Sequence, residues 1–127
     1  MPITFIPKAG TILICNFDGY VLPEIIKTRP VVIISPNHMK RAGLYTVVPL
    51  STTKPTIVES YHYELLDPIK NDGSLCWAKC DLAATVRKDR LDRVKIHRGT
   101  YKIFNVSKEQ LIEIRKCVAI SIGIDFE

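Results

Sequence analysis

Arg29 is the residue of this chain whose type and position most clearly suggest chemistry. It stands directly before Pro30 and the apolar, largely β-branched run 31–34. Proline fixes its own φ and favours extended backbone in the preceding residue, so the guanidinium is held on stiff backbone. A fixed cation at the start of a strand predicts a site for an anionic group. An ordinary strand start with a solvated arginine explains the same segment equally well.

Two later segments add hydroxyls, a second cation and a carboxylate. Ser51 and Thr52 come two and three residues after Pro49, where the third apolar run ends, and Lys79 and Asp81 lie two residues apart in the run 75–82. If residues 75–82 form one strand, alternation of its side chains places the lysine and the aspartate on the same side. The sequence therefore predicts two further polar groups at strand ends.

Cleavage of a phosphodiester bond in RNA would use these residue types. The reaction needs a base for the 2′-OH proton, an acid for the leaving 5′-oxygen, and donors that stabilise charge on the phosphorane. Asp81, Arg29 and the hydroxyl of Ser51 or Thr52 could fill these roles. The structural alternatives are an ion pair between Asp81 and Lys79 and a turn stabilised by the hydroxyls.

The charge of the chain is concentrated in one segment. The 127 residues carry a net charge of +5, with 46% hydrophobic and 24% charged residues, which is typical of one globular domain spanning 1–127. Residues 85–100 hold six lysines and arginines against two aspartates. Such a cluster attracts polyanions, so it predicts a phosphate-facing surface. A solvated face, partly neutralised by Asp89 and Asp92, is the alternative.

The sequence predicts a cytoplasmic protein without membrane, metal or cofactor. No apolar run approaches the roughly 20 residues of a membrane span, and the N-terminus lacks the pattern of a signal peptide. The four cysteines lie mostly in apolar segments, where cysteine usually behaves as a small buried hydrophobe. Cys76 and Cys80 are spaced four apart, and zinc sites normally show tighter pairs, so we expect no metal site.

Short strands and one helix account for the hydrophobic pattern. Strands are predicted at 11–17, 31–35, 45–48, 61–65 and 75–82. The helix begins after Ser107, which forms a capping-box pattern with Gln110, and Gly123 closes it. Its apolar stripe consists of Leu111, Ile114, Val118 and Ile122. These elements favour a small curled antiparallel sheet or barrel capped by the C-terminal helix.

The order of these segments resembles the PemK/MazF toxins of type II toxin–antitoxin systems. The resemblance runs from about Gly10 to Gly123, and its motifs lie in residues 23–36, 47–52, 78–81 and 85–91. It leaves residues 1–9 as an N-terminal extension. The most specific part is the arginine-proline strand, followed at the right distance by the turn in which hydroxyl residues follow a proline.

What the resemblance implies is a fold, an activity and partners. The fold is mainly β with α: a small SH3-like antiparallel β-barrel of about five to seven short strands with a packed C-terminal helix. Such proteins form homodimers and cleave single-stranded RNA without a metal or other cofactor, leaving a 2′,3′-cyclic phosphate and a 5′-hydroxyl. A cognate antitoxin protein neutralises them by laying a segment over the RNA groove.

The resemblance also assigns roles to individual residues. Arg29, Ser51 and Asp81 take the catalytic positions. The implied RNA-binding residues are Glu24, Lys27, Thr52, Lys79 and Thr85. Leu82 and Ala84 stand where family members commonly carry a glutamine and an arginine. Leu82 cannot form a hydrogen bond to a base, and Ala84 lacks the positive charge that would lie near the phosphates.

Two other readings of the sequence remain open. The first is a catalytically weakened RNA-binding or regulatory module on the same barrel, in which Leu82 and Ala84 mark loss of the site. The second is a gyrase-directed toxin similar to CcdB, which shares this fold. The C-terminal helix shows no matching motif for that activity. RNA binding without cleavage would indicate the module, and inhibition of supercoiling with intact RNA would indicate the gyrase-directed toxin.

Overall fold

A computed structural model describes residues 3–37 and 42–126. This part of the chain forms one α-helix, α1 (Lys108–Ser121), and ten β-strands, of which three are only two or three residues long. The strands are β1 (Thr11–Cys15), β2 (Arg29–Ile33), β3 (Leu44–Ser51), β4 (His62–Leu66), β5 (Leu75–Lys79), β6 (Ala84–Arg87), β7 (Leu91–Asp92), β8 (Val94–His97), β9 (Thr100–Lys102) and β10 (Phe104–Asn105).

The sheet is antiparallel throughout and is organised around β1, β2 and β3. Neighbouring strands follow the order β10, β1, β2, β3, β5, β4, while β6 pairs with β3 and β7 pairs with β1 beside this path. β8 and β9 form a separate two-stranded hairpin. The predicted class, mainly antiparallel β with one C-terminal helix, is confirmed. The hydrogen-bonded path of the described strands ends at β10 and β4, so the sheet stays open and does not close into the predicted barrel.

The central strands are buried on both faces, as the apolar run 31–34 predicts. Val32 and Ile34 belong to a core on the side of α1, which we call the helix-side core. Val31 and Ile33 belong to a second core on the opposite face, the far core. Successive residues of a strand point to opposite faces, so a continuous apolar run fills two cores at once.

β3 is longer than the sequence predicts, because it continues through Pro49. Its first half pairs with β6 as far as Val47, and its last residues pair with β5 from Leu50 onward. Pro49 lies in the gap between these two ladders, so its missing N–H removes no bond from either. The prediction that this strand ends at Pro49 is therefore wrong.

β5 is shorter than predicted, and this moves Asp81. The strand ends at Lys79, and Cys80–Leu82 forms one turn of 3-10 helix. The edge of β3 that β5 would continue along is taken by β6, whose Ala84 pairs with Val47. Asp81 is therefore not on the strand face that alternation from Lys79 predicts.

The helix and both its ends agree with the sequence. Ser107 accepts a hydrogen bond from the Gln110 N–H, and the Gln110 side chain accepts one from the Ser107 N–H, at 3.1 and 2.8 Å. After α1, the N–H of Gly123 bonds to Ile120 O and that of Ile124 to Ala119 O, which is a Schellman closure. The Arg115 Nε donates to Ile34 O at 2.9 Å and ties the helix to the chain after β2.

One member of the predicted apolar stripe lies outside the packed face. Ile114 is fully buried against the helix-side core, and Leu111, Cys117 and Val118 pack around it. Ile122 is the C-cap residue and is 74% exposed, because the helix ends at Ser121.

The segment before Gly10 packs onto the sheet. Ile3 is a buried member of the far core, Phe5 lies against the same core, and Pro7 is also buried. Residues 1 and 2 of the predicted extension lie outside the described residues. In the part of the chain that the structure describes, no helix is long and apolar enough to cross a bilayer.

The buried thiols predict a decline in stability at alkaline pH. Burial raises the pKa of Cys15 to about 11 and that of Cys76 to about 12, and it raises the pKa of Cys80 as well. In the unfolded chain these thiols titrate near 8.5. The unfolded state therefore loses protons first, so the free energy of unfolding falls as pH rises from about 8.5 through 11 to 12.

Urea unfolding between pH 7 and 11 measures this decline. The Cys15→Ala/Cys76→Ala variant is expected to show a flatter pH profile than the wild type, whatever its stability at pH 7. Each thiol contributes up to about 1.4 kcal/mol per pH unit to the slope. Parallel profiles for the two proteins would contradict the prediction.

Candidate functional site

The register of β2 and β3 brings Arg29 and Ser51 together. Val31 lies opposite Pro49, and this register, continued by two residues on each strand, leads to Arg29 on β2 and Ser51 on β3. Both residues border a cavity of about 160 Å³. Its lining consists of Arg29, Pro30, Leu50, Ser51, Thr52, Asp67, Ile69 and Cys76. We call this the Arg29 cavity. It unites the predicted cation and the predicted hydroxyls.

The two hydroxyls of the Arg29 cavity are held differently. Ser51 is 7% exposed, and its Oγ accepts a hydrogen bond of 3.1 Å from the Thr53 N–H. A hydroxyl that accepts one bond keeps its own hydrogen for donation. Thr52 lies in the bend after β3 and is exposed. Ser51 is thus a fixed donor at the cavity wall, while Thr52 lies at its mouth.

Asp67 is a cavity residue that the sequence reasoning missed. It is 7% exposed, and its Oδ1 accepts bonds from the Ile69 and Lys70 N–H groups at 2.9 and 3.1 Å. These bonds form an Asx-type turn directly after β4. An aspartate followed by Pro68 looks like an ordinary turn signal in the sequence. Asp67 lies at the Arg29 cavity because β4 pairs with β5 and β5 pairs with β3. These pairings between distant segments are not visible in the sequence.

Cys76 shows the electrostatic effect of this carboxylate. Burial raises the pKa of the Cys76 thiol to about 12, and the negative charge of Asp67 contributes to the rise. The thiol therefore stays protonated at neutral pH and acts as an apolar wall of the Arg29 cavity. A nucleophilic role for this cysteine does not fit such a pKa.

Asp81 and Lys79 lie elsewhere on the molecule. Asp81 comes four residues after Trp77, which lies opposite Ser51, and the turn of 3-10 helix at Cys80–Leu82 carries it off the strand. It is exposed and does not line the Arg29 cavity. Partial desolvation, with the nearby carboxylates of Asp81 and Glu59, raises the pKa of Tyr61. Lys79 lies opposite His62 in the pairing with β4.

The remaining predicted RNA contacts occupy two other places. Glu24 and Lys27 lie in the loop between β1 and β2 and are exposed, and the Glu24 Oε1 accepts a bond of 2.8 Å from the Val21 N–H. Thr85 lies on β6, where its hydroxyl is 3.1 Å from that of Thr46. None of these three lines the Arg29 cavity.

Arg90 fastens the loop that carries Glu24 and Lys27. Its Nη1 donates to Asn16 O and Asp18 O, both at 2.9 Å. Its guanidinium lies 5.4 Å from the centroid of the Tyr20 ring, and that ring meets Phe17 edge to face. One member of the basic segment 85–100 therefore positions the β1–β2 loop.

A larger depression lies away from the Arg29 cavity. It encloses about 570 Å³ near the start of α1, and Gly10, Lys108 and Arg115 are among its lining residues. Its described lining contains no carboxylate and no side-chain hydroxyl. Within residues 3–37 and 42–126, no group of three or more His, Cys, Asp and Glu side chains could hold a metal ion. The Arg29 cavity is therefore the better candidate for catalysis.

Comparison with known proteins decides the family. Residues 8–122 match the family described as the PemK-like, MazF-like toxin of type II toxin–antitoxin systems. The chain belongs to this family. The match covers β1 through α1 and includes both strands that frame the Arg29 cavity.

Similar proteins are found in several bacteria. The chain is 34% identical to the uncharacterized protein YifN of Escherichia coli (strain K12), with 97% of this chain and 96% of that protein covered. The fold matches MazF of Deinococcus radiodurans with a TM-score of 0.68 at 18% identity, covering 94% of this chain and 99% of that one. It also matches a mycobacterial endoribonuclease solved with its cognate antitoxin, with a TM-score of 0.63 at 22% identity and 96% and 100% coverage.

Removing the Arg90 contacts is expected to loosen the β1–β2 loop. Arg90→Met keeps the length of the side chain but loses both bonds to the loop carbonyls, and bonds to a charged group are worth about 1.5 to 3 kcal/mol each. We expect faster amide exchange in residues 16–28 and a lower melting temperature. Arg87→Met is the matched control, because it removes an exposed ion pair with Asp89 worth less than about 1 kcal/mol. Equal exchange in the two variants would contradict the role of Arg90.

Proposed function

We propose that this family member is the toxin of a type II toxin–antitoxin system and acts as an endoribonuclease on single-stranded RNA. The observation that carries the proposal is the alignment of Arg29 with Ser51 across β2 and β3 at one cavity. The family match and the fold shared with a mycobacterial endoribonuclease support it. The proposed reaction uses no metal and no other cofactor.

The reaction is an internal transfer at phosphorus. The ribose 2′-oxygen forms a bond to phosphorus, the bond to the 5′-oxygen breaks, and the products carry a 2′,3′-cyclic phosphate and a 5′-hydroxyl. Arg29 offers paired N–H donors and a positive charge to the phosphorane oxygens. Ser51 and Thr52 donate hydrogen bonds to the same group or to the leaving oxygen, which takes its proton from water, while the carboxylate base accepts the proton of the 2′-hydroxyl. These groups are positioned in advance by the strands, which lowers the entropic cost of reaching the transition state.

The carboxylate at the Arg29 cavity is Asp67. The hydrogen bonds described for its side chain both end on Oδ1, which leaves Oδ2 to accept a proton. We assign the base role to Asp67 in this cavity. Asp81, which the sequence assigned to catalysis, would then serve the RNA path outside it.

The proposal also includes the RNA contacts and the partners. Glu24 and Lys27 on the β1–β2 loop, with Lys79 and Thr85 on β5 and β6, are proposed to contact the RNA strand on either side of the scissile bond. A cognate antitoxin protein is proposed as the partner, as in the mycobacterial complex. We further propose a cytoplasmic homodimer built from a single domain spanning 1–127.

Replacing Arg29 is expected to abolish cleavage without unfolding the domain. Arg29→Ala removes the charge and the donors, and loss of one such group costs about 10²- to 10³-fold in rate. Arg29→Lys keeps the charge but loses the planar fork, so we expect only partial recovery. Mapping of new 5′-hydroxyl ends on a long RNA in EDTA is the measurement. Arg87→Ala is the matched control and is expected to cut like the wild type.

Cleavage that continues unchanged in Arg29→Ala would contradict the assignment. Intact RNA from a folded wild-type protein would contradict the enzyme itself and favour the RNA-binding module. Cleavage of the RNA only after Mg²⁺ is added would contradict the metal-free mechanism.

A pair of amide variants separates the two carboxylates. Asp67→Asn keeps the size of the side chain and an oxygen for the turn, but the amide cannot take a proton, so we expect a loss of about 10²- to 10⁴-fold in rate. Asp81→Asn is expected to change the rate far less. Single-turnover cleavage with saturating protein measures both, and thermal melting reports the cost to the Asx-type turn. The opposite ranking would return the base role to Asp81.

A further inference from the structure

β8 and β9 form a hairpin that leaves the sheet at its edge. β7 and β10 both pair with the outer edge of β1, at Ile14 and Cys15 and at Thr11 and Ile12. The chain departs after Asp92 and returns at Phe104, only two positions along β1. Residues 93–103 therefore project from the sheet, and we call them the basic hairpin.

The basic hairpin carries most of the net charge of the protein. It holds four cations and no carboxylate, against a net charge of +5 for the whole chain. The cations are Arg93, Lys95, Arg98 and Lys102. Arg93 has a carboxylate nearby, with 4.0 Å between its Nε and the Asp92 Oδ1. In the part of the chain that the structure describes, the other three have no carboxylate within ion-pair distance. This surface is therefore open to a polyanion.

An exposed aromatic ring lies between two of these cations. Tyr101 pairs with Lys95 across the hairpin, and the Arg93 guanidinium lies 4.6 Å from the centroid of its ring. Alternation along β8 places Arg93 and Lys95 on the same face as Tyr101. Tyr101 as a whole residue is 42% exposed. Cations that alternate with a ring suit single-stranded RNA, because phosphates bind the cations and a base stacks on the aromatic or guanidinium plane.

The base of the hairpin is anchored while its outer face lies in water. Val94 is buried in the helix-side core, and Phe104 packs against the same core. Lys95, His97 and Arg98 are exposed. An anchored surface loses little conformational entropy when a ligand binds.

The hairpin leaves the outer edge of β1, whereas the Arg29 cavity lies on the β3 side of β2. Leu91 pairs with Cys15, and Cys15 pairs with Arg29 on its other side. Two strand spacings therefore separate the backbone of Leu91 from that of Arg29, about 10 Å. The hairpin begins two residues after Leu91, so an RNA strand must extend beyond the cavity to contact both places.

We propose that the basic hairpin is a docking surface for single-stranded RNA beyond the cleavage site. Lys95 and Arg98 bind phosphates of the strand, and Tyr101 with Arg93 stacks one base. The proposal rests on the proposed function, because it takes the RNA substrate as the ligand. It predicts that RNA long enough to leave the cavity binds more tightly than a short one.

RNA binding by matched charge variants tests the proposal. The parent is Arg29→Ala, so that binding is measured without cleavage. Lys95→Gln/Arg98→Gln removes two charges from the hairpin, and Lys108→Gln/Lys116→Gln removes two from α1 as the control. Fluorescence anisotropy at several salt concentrations uses labelled single-stranded RNAs of about 6 and about 24 nucleotides, one near the lower end of typical single-strand site sizes and one above them.

For the long RNA, the hairpin variant is expected to bind on the order of tenfold more weakly at low salt. The slope of log K against log salt is expected to fall by about 1.4, because each lost phosphate contact in a single strand contributes about 0.7. The α1 control and the short RNA are expected to show no such change. Tyr101→Ala is expected to weaken binding by at least about fivefold, and Tyr101→Phe to restore it.

Several outcomes would overturn the docking surface. Equal loss of RNA affinity in the hairpin and α1 variants would show that RNA is attracted by the general positive charge of the protein and not by the basic hairpin. Altered dimerisation by light scattering, with RNA affinity unchanged, would make the hairpin a contact between two copies. Hairpin-dependent binding of an acidic peptide, with RNA affinity unchanged, would make it a protein-binding surface.

The experiments distinguish failure of the docking-surface proposal from failure of the nuclease assignment. If the wild type does not cleave RNA but the hairpin variants lose affinity, the docking surface stands and the nuclease assignment fails. If the wild type cleaves RNA and the hairpin variants bind it normally, the nuclease assignment stands and the docking surface fails. Absence of RNA binding by the parent overturns both.

Discussion

β2 and β3 pair through residues that are buried on both faces, and their register determines where the other elements attach. A shift of one residue would exchange the helix-side and far cores, so the alignment of Val31 with Pro49 is strongly specified. The same alignment places Arg29 across from Ser51. The geometry of the Arg29 cavity is therefore a by-product of core packing, and the cavity inherits the rigidity of the most buried strands.

The rest of the molecule supports this pair from its two ends. α1 covers one face and is tied to the chain after β2 through Arg115, while the segment from Ile3 to Pro7 helps to cover the other face. β1 pairs with β2, which carries Arg29, along one edge and with β7, which leads into the basic hairpin, along the other. The β1–β2 loop follows the end of β1. The polar elements that are proposed to follow an RNA strand thus lie on both sides of β2: the basic hairpin beyond β1, and Lys79 and Thr85 on β5 and β6 beside β3.

The sequence predicted the elements whose signals are local. The capping box at Ser107, the Schellman closure at Gly123 and the apolar run of β2 each depend on neighbouring residues, and each is present. What it missed depends on pairing between distant strands. Pro49 continues a strand because two ladders meet there, β5 ends early because β6 occupies its edge, and Asp67 reaches the cavity through two successive pairings. No periodicity within residues 60–85 encodes those relations. The catalytic roles of the individual side chains remain predictions.

The interruption at Pro49 has a mechanical consequence for the Arg29 cavity. Arg29 lies on the ladder of β1, β2 and β3, whereas Asp67 follows β4, which joins the sheet only through β5. The two ladders share β3, and neither its pairing with β6 nor its pairing with β5 includes Pro49. The two walls are also joined by the helix-side core, in which Val32 and Val48 pack with Leu65 and Cys76. The separation between the cation and the carboxylate is therefore fixed by side-chain packing across that core rather than by a continuous hydrogen-bonded ladder.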